Sequence, residues 1–243
     1  MTENTYSLPV METVKTAWAK VSGVKGSIWA ILGIVFVAQL IVGFIGGLGA
    51  RGGAIDIIFS IIGSLIQIMA GASLIYIGIR RAQDMPVQYK MVKEVLTGRI
   101  ILFLILLYIL QVVIFIPAGI LLGIGIWLAH MQAEPSLGMQ LIGALFCLAA
   151  SLIFIFLAIR MWLAYGTVVD KKLNPWEAIK LSFKATKGNV WNLIGIYFMN
   201  VLIVLGCAIT VGIGLIWGLP WLFILYGEAY KRLTTRQDMR PVG

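Results

Sequence analysis

The sequence predicts an all-α polytopic membrane protein with about six transmembrane helices, and three observations support this. Apolar residues make up 60% of the chain and charged residues 12%, and the mean hydropathy is +0.99. Soluble domains carry roughly 25% charged residues. Several apolar runs reach the length of about 20 residues that a helix needs to cross the hydrocarbon. Nearly all basic residues fall in the connections between these runs.

Six apolar runs are predicted to be transmembrane helices. They lie at 28–49, 55–79, 100–129, 139–163, 190–209 and 213–231. The third run is long for one span and contains Pro117, so we expect it either to kink there or to continue as a helix beyond the membrane. The fifth and sixth runs form one apolar stretch of about 40 residues with glycines near its middle, which favours two helices joined by a tight turn.

The distribution of charge predicts the orientation. Of the 19 lysine and arginine residues, 17 lie before the first run, between the second and third, between the fourth and fifth, or after the sixth. Connections rich in these residues stay on the cytoplasmic side of a membrane. We therefore expect both termini in the cytoplasm. No signal peptide is expected, because the residues before the first run are mostly polar.

Short motifs recur in the same order along the chain and predict three internal repeats. METVKTAWAKVSG, PVQYKMVKEVLTGR and PWEAIKLSFKATKG each precede an apolar run, and in this comparison Gly23 matches Gly188. We predict that each repeat is an interfacial amphipathic helix followed by a membrane hairpin. The predicted organisation is one integral membrane domain, 1–243, with repeats at 10–85, 86–173 and 174–239 and flexible tails at 1–9 and 240–243.

The repeats place three amide side chains at a similar depth. Gln39 and Gln111 each lie ten residues into the first helix of their repeat, and Asn200 is one residue from the third equivalent position. An amide in hydrocarbon is costly unless it is hydrogen-bonded, so we expect all three to face protein. They form either a polar site at a repeat interface or hydrogen bonds that only hold helices together. Gln67 fits either interpretation.

Two charged residues, Arg160 and Glu228, lie near the basic-side ends of their predicted helices. Each side chain can extend to the lipid headgroups without any further role. The alternative hypothesis is that they form an ion pair between the second and third repeats.

Glycines spaced as G-x-x-x-G let two helix backbones approach closely. We expect such contacts within the chain at three pairs, Gly43/Gly47, Gly119/Gly123 and Gly214/Gly218.

Residues suited to catalysis are scarce. The single histidine, His130, lies beside a predicted loop that contains Glu134, and Cys147 and Cys207 have no metal or disulfide spacing. We therefore predict that the protein is not an enzyme and has no catalytic residues, metal or cofactor. All acidic residues lie in connections or near helix ends, which disfavours a proton- or sodium-coupled carrier.

The basic connections predict the partners. Basic residues at a membrane surface attract anionic headgroups by about 1 kcal/mol each. Nucleic-acid binding needs a folded basic domain, and the connections are too short to form one. We expect membrane lipids as partners, together with another membrane protein or a second copy of the chain, and no nucleic acid.

The last third of the chain resembles a known group of families. NPWEAIKLSFKATKGNVWNLIGIYF and GLPWLFILYGEAYKRL, within about 165–233, resemble the six-span bacterial inner-membrane families related to the membrane domain of glycerophosphodiester phosphodiesterases. Pro175, Ala178, Gly188 and Trp191 carry the resemblance. Those phosphodiesterases attach a separate soluble catalytic barrel, which has no counterpart in this sequence.

The resemblance implies a multi-pass protein of the bacterial inner (cytoplasmic) membrane without transferable catalytic residues. We expect a non-enzymatic protein that binds lipid or a partner in an accessory role in envelope homeostasis. The alternative is a transporter or channel for a small or lipid-like substrate.

Overall fold

The protein is helical almost throughout the residues that the computed structural model describes, which are 7–49, 53–130, 136–209 and 213–238. No β-strand occurs in these ranges. The α-helices are α1 Val10–Ala19, α2 Lys25–Gly47, α3 Ala54–Ala82, α4 Gly98–His130, α5 Leu137–Met161, α6 Ala164–Lys171, α7 Pro175–Thr186, α8 Val190–Ile209 and α9 Leu215–Asp238. The predicted all-α fold is confirmed.

Five stretches in the described ranges are long and apolar enough to cross a membrane. They are Lys25–Gly47, Ala54–Ala82, Gly98–Ala129, Leu137–Lys171 and Val190–Cys207. The third contains Pro117 within one continuous helix, α4. The sixth predicted run forms a helix, α9, which is not among the five. Its apolar part ends at Gly227, and Glu228, Lys231 and Arg232 follow within about two turns.

Helix α9 lies at the centre of a compact region that we call the base, which consists of α1, Ala72–Ala82 of α3, α6, α7 and α9. Trp221, Ile224, Leu225 and Tyr230 of α9 are all buried. They belong to one apolar core with residues of α1, α3, α7 and α8. A second apolar core is formed by residues of α3, α6 and α7 together with the first turns of α4. Burial of α9 by protein explains why it carries charged residues that a lipid-facing helix excludes.

Beyond the base, the long helices form hairpins with outward apolar side chains. Helix α2 packs along α3, and α4 packs along α5. Phe44 on α2, Ile109 on α4, Phe154 on α5 and Phe198 on α8 are largely exposed. A contiguous apolar surface of this extent is a lipid contact surface. The protein is therefore integral to the membrane.

A close contact at two glycines joins α3 to α9. A Cβ atom at Gly78 would overlap the carbonyl group of Phe223, and a Cβ atom at Gly227 would overlap the carbonyl group of Gly78. A similar contact joins α4 to α5, where a Cβ atom at Gly125 would lie 2.8 Å from the carbonyl oxygen of Gly143. Only a residue without a side chain fits at these positions.

The predicted G-x-x-x-G contacts are mostly wrong. An added Cβ atom at Gly43, Gly47, Gly119 or Gly123 would meet nothing within 4 Å. At Gly218 an added Cβ atom would have a close neighbour, the sulfur of Cys207, at 2.7 Å. The spacing identifies a face made of small residues, but it does not show whether another helix covers that face.

Helices α1 and α7 pack into the base. Helix α7 begins at Asn174, whose side-chain oxygen accepts a hydrogen bond from the Glu177 N–H at 2.9 Å, with Pro175 in the first turn. Its buried face includes Ala178 and Ser182. Protein therefore covers one face of each helix, and their position in the membrane interface stays a prediction.

The third predicted interfacial helix is a 3-10 helix of six residues, Tyr89–Glu94, preceded by extended backbone at Gln88. One short helix followed by a long hairpin nevertheless occurs three times along the chain. Gly23 and Gly188, which are matched in the repeat comparison, both have positive φ angles, 90° and 82°. The internal sequence repeat itself stays a prediction.

The predicted N-terminal tail is shorter than expected. Leu8 is buried, and its N–H donates a hydrogen bond to the Asn189 side-chain oxygen at 2.7 Å. Residues 7–9 are therefore anchored to the base. The rest of the predicted tails, 1–6 and 240–243, and the predicted loop around Glu134 lie outside the described residues.

We expect Gly227→Ala to lower the free energy of unfolding by about 3 kcal/mol, because the new methyl group forces α3 and α9 apart. The measurement is the thermal unfolding midpoint of the purified protein in detergent. Gly206→Ala on α8 is the control, since an added Cβ atom there meets nothing within 4 Å. Equal midpoints for the two variants would show that the α3–α9 contact does not hold the base together.

Candidate functional site

A groove lies between α2 and α3. Its volume is about 890 Å³, and Tyr108 of α4 contributes to its lining. The groove is lined by apolar residues, glycines and six polar side chains, Gln39, Asp56, Ser60, Ser64, Gln67 and Tyr108. It extends from the tip of the α2–α3 hairpin, at Gly49 and Asp56, to about the middle of α3, at Gln67. The groove therefore lies between two helices that are long and apolar enough to cross a membrane.

The sequence builds this groove by helical spacing. Asp56, Ser60, Ser64 and Gln67 recur at intervals of four, four and three residues, which places them on one face of α3. Helix α2 opposes this face with glycines at 43, 46 and 47. Because glycine has no side chain, the space between the two helices stays open.

Gln39 joins the two helices beside the groove. Its side-chain nitrogen donates a hydrogen bond to the Gly63 carbonyl oxygen at 2.8 Å. Gly63 is buried, and a Cβ atom added there would lie 3.2 Å from the Gln39 side-chain oxygen. Gln39 thus makes a hydrogen bond across the α2–α3 hairpin, which helps to hold the two helices together.

Other groove residues retain hydrogen-bonding capacity. Ser64 donates to the Ser60 carbonyl oxygen at 2.8 Å, which leaves its own oxygen able to accept. Gln67 is exposed, and Tyr108 is 54% exposed. Neither side chain makes a hydrogen bond within the part of the chain that the structure describes. Polar groups that face hydrocarbon without partners are costly, so these side chains favour a polar occupant of the groove.

The structure does not bring the predicted amide cluster together. Gln39 lies at the α2–α3 groove, whereas Gln111 accepts a hydrogen bond from the Tyr165 hydroxyl at 2.7 Å. Asn200 lies on α8, and its side-chain oxygen is buried without a hydrogen-bond partner among the described residues. Equal depth along a helix does not fix the direction in which a side chain points around that helix. Gln67 is the amide that shares the groove with Gln39.

The hypothetical ion pair between Arg160 and Glu228 is absent from the described residues. Arg160 donates to the Phe183 carbonyl oxygen at 2.9 Å and to the Thr186 hydroxyl at 3.3 Å. Its guanidinium also lies over the Phe156 and Phe183 rings, at 5.6 and 5.1 Å from their centroids. Arg160 therefore joins α5 to α7.

Glu228 pairs with a residue from the other end of the chain. Its side chain is only 3% exposed, and one carboxylate oxygen lies 2.7 Å from the Lys20 ammonium. Lys20 also contacts Asp84 at 2.9 Å and donates to the Ala82 carbonyl oxygen at 2.8 Å. Arg232 lies 3.8 Å from the second Glu228 oxygen. This cluster joins α9 to the connection that precedes α2 and to the end of α3.

The ion cluster shifts two pKa values. Burial lowers the pKa of Lys20, but its contacts with Glu228 and Asp84 outweigh burial and raise the pKa above the usual value. The hydrogen bond from Lys20 lowers the pKa of the Asp84 carboxyl group. Both shifts favour the charged forms, so the cluster stabilises the fold at neutral pH.

The sequence analysis missed Asp56, Ser60, Ser64 and Tyr108 as candidate site residues. The regular spacing of polar residues along α3 could have indicated a polar face. These residues are spread over a run that is apolar on average, so the pattern is weak. Tyr108 could not be assigned from spacing, because its place at the groove depends on how the α4–α5 hairpin packs against α3.

Chemistry other than binding has few candidates. Across the described ranges, no three His, Cys, Asp or Glu side chains are grouped so that they could hold a metal ion. Cys147 and Cys207, within α5 and α8, do not form a disulfide bond with each other.

Comparisons with family models, with curated proteins and with solved structures gave no match. The resemblance to the inner-membrane families stays a prediction.

We expect Lys20→Met to lower the free energy of unfolding by about 3 kcal/mol at neutral pH, because it removes the nearest cation from the buried Glu228 carboxylate. The measurement is the unfolding midpoint in detergent, with Lys15→Met at an exposed site of α1 as the control. Adding Glu228→Gln to Lys20→Met should restore part of the loss. A double variant as unstable as Lys20→Met would contradict the assignment.

The effect of Lys20→Met should depend on pH. A raised pKa means that the stability contributed by Lys20 is complete below the unfolded value of about 10.4 and is lost as pH rises through the folded value. The difference in midpoint between the unmodified protein and Lys20→Met should therefore be constant from about pH 6 to 9 and shrink at higher pH. A difference that persists unchanged above pH 11 would overturn this expectation.

Proposed function

We propose that the protein is a non-enzymatic, multi-pass protein of the bacterial inner membrane that binds a lipid in the groove between α2 and α3. The observation that carries the proposal is the line of polar side chains on α3, from Asp56 to Gln67, which faces open space at membrane depth. We place its role as an accessory one in envelope homeostasis, in keeping with the resemblance of its last third.

The groove suits an amphiphile because it combines two kinds of lining. Val42, Phe59 and Ile68 offer apolar contact, and the α3 side chains offer hydrogen bonds. Small-molecule sites have this mixed character, with a few polar groups that fix orientation. A lipid in the adjoining layer already presents both kinds of surface, and it needs no passage through the base.

Binding accounts for the geometry better than transport does. A route across the membrane would have to continue through the base, where Leu74, Ile77 and Trp221 are closely packed. The backbones of α3 and α9 are in contact at the same level. The groove ends at this packed core, which supports binding. Transport would require the core to open.

The basic residues support an orientation with the base on the cytoplasmic side. Exposed Lys180 on α7 and Lys187 directly after it belong to the base, and the groove reaches the opposite end of the α2–α3 hairpin. The positive-inside rule then places both termini in the cytoplasm and the hairpin tip on the other face.

We expect Gly43→Leu to remove most of the lipid that copurifies with the protein, because the new side chain enters the groove without meeting other atoms at its Cβ position. The measurement is native mass spectrometry of the protein released from its own membrane. Gly33→Leu is the matched control, since Gly33 is also an open position on α2 but does not line the groove. The proposal fails if Gly43→Leu and Gly33→Leu retain the same lipid.

The orientation is tested by labelling single cysteines introduced into a Cys147→Ala, Cys207→Ala background. In intact cells, Gly138→Cys at the start of α5 should react with a membrane-impermeant maleimide. Lys187→Cys at the end of α7 should react only after the membrane is permeabilised. Labelling of Lys187→Cys in intact cells would refute the proposed orientation.

A further inference from the structure

We infer that the hairpin of α8 and α9 is an interaction surface for the acyl chains of one leaflet only. The hairpin enters the bilayer from the side of the base and turns back within that leaflet. Helix α8 is long and apolar enough to cross a membrane, but the contacts of the hairpin keep it near the base. The inference does not depend on the groove between α2 and α3, and it leaves α2 to α5 as the crossing helices.

Helix α2 provides a depth scale for its neighbours. Lys25 begins α2 and is the only charged residue in its sequence. An ammonium group is costly in hydrocarbon, so α2 enters the hydrocarbon just after Lys25. The 23 residues of α2 rise about 34 Å, which is enough to cross a hydrocarbon core of about 30 Å. The start of α2 therefore marks the membrane surface on the side of the base.

The start of α9 lies at the shallow end of this scale. The Trp29 indole N–H donates a hydrogen bond to the Ile216 carbonyl oxygen at 3.2 Å, and the Lys25 ammonium lies 4.6 Å from the centroid of the Trp217 ring. Trp29 is four residues beyond Lys25, which is about 6 Å along α2. In a hairpin that crosses the membrane, the first turn of α9 would instead be level with the last turns of α2, near Gly47.

The end of α8 is held at the same level. A Cβ atom at Gly218 would lie 2.7 Å from the sulfur of Cys207, so the last turns of α8 pack directly on the first turn of α9. Gly218 directly follows Trp217 in the chain. Both arms of the hairpin are therefore held near its tip within the leaflet that adjoins the base, which contributes about 15 Å of hydrocarbon.

Helix α8 is also shallow nearer its start. The rings of Trp162 and Tyr197 are 6.2 Å apart. Trp162 directly follows the base end of α5, and Arg160, the only charged residue in the α5 sequence, lies two residues before it. Tyr197 is seven residues after Val190, which is about 10 Å along α8. Because this point of α8 is still level with the end of α5, α8 is inclined to the crossing helices.

The outward surface of the hairpin suits acyl chains. Phe198, Leu205 and Ile209 of α8 and Ile213 before α9 are exposed, and the sequence of α8 contains no charged residue. Exposed Tyr197 and Trp217 lie near the level of the head groups, where aromatic side chains with one polar atom are favoured. A hairpin of this kind occupies volume in one leaflet only, so its insertion depends on how tightly the lipids of that leaflet pack.

The experiment measures depth and membrane side together. Single cysteines in the full chain, in the Cys147→Ala, Cys207→Ala background, carry a nitroxide spin label. A membrane-impermeant paramagnetic ion is added to one face of sealed vesicles in which the protein has one orientation. Lys187→Cys marks the face of the base and Gly138→Cys the opposite face. On α2, the exposed positions Ile34→Cys and Phe44→Cys calibrate depth.

We expect the ion on the face of the base to relax the Ile213→Cys label at least as fast as the Ile34→Cys label. From the opposite face it should relax Ile213→Cys more slowly than Phe44→Cys. If Ile213→Cys instead relaxes as fast as Phe44→Cys from the face marked by Gly138→Cys, the hairpin crosses the membrane and the inference fails. Relaxation from neither face would place the tip at the bilayer centre or under a second copy of the chain, and it also overturns the inference.

A second measurement tests the same level by proximity. In the native membrane, a short bifunctional thiol reagent should join Ile216→Cys to Lys25→Cys, a pair that leaves the Trp29 hydrogen bond in place. The same reagent should not join Ile216→Cys to Phe44→Cys, which is the matched control at the other end of α2. Equal crosslinking of the two pairs, or crosslinking to Phe44→Cys alone, would contradict the shallow position of α9.

Discussion

The backbone contact between α3 and α9 at Gly78 and Gly227 is the constraint on which the rest of the structure depends. It places α9 inside the protein, where its apolar side chains form the core of the base. It also fixes the second half of α3 against protein, so that α3 serves both as part of the base and as half of a membrane hairpin. The ion cluster of Lys20, Asp84 and Glu228 then closes the N-terminal connection over the same junction.

The groove follows from this division of α3. Its C-terminal part, from Ala72 to Ala82, is largely buried, and its N-terminal half lies beside α2 at the groove. No helix covers the polar face at Ser60 and Ser64, in the part of the chain that the structure describes, as closely as α9 covers the C-terminal half of α3. Opposite it, α2 contributes glycines, so the space stays open. A rigid base that carries a partly open hairpin is a suitable arrangement for holding a lipid beside the protein, because the site needs no movement of the core.

Much of the fold was predictable because the membrane imposes simple rules. Length and hydropathy located the long helices to within a few residues, as for 190–209, which matches α8. The positions of the charges could not show that α9 is enclosed by protein. The run 213–231 has the composition of a membrane span, and only the packing of the neighbouring helices shows that protein covers it. The start of α7 at Pro175 and the termination of this helix before Gly188, which has a positive φ angle, could be predicted because both depend on local backbone chemistry.

The site was harder to predict because it depends on helix rotation and on contacts between distant segments. The depths of Gln39, Gln111 and Asn200 were read from spacing, but their directions depend on packing that no single helix encodes. Glu228 was assigned to Arg160 on proximity to a helix end, whereas Lys20, more than 200 residues earlier, is its partner. Such long-range pairs become visible only in the folded chain.

The most direct test of lipid binding in the groove is photo-crosslinking in the native membrane with benzoylphenylalanine placed at one α2 position at a time. Val42 lines the groove, and Val37 is exposed elsewhere on the same helix. The account predicts a discrete lipid adduct with one dominant head-group class at Val42 and only a mixture resembling the bulk membrane at Val37. The same mixture at both positions, or a protein adduct at Val42, would contradict it.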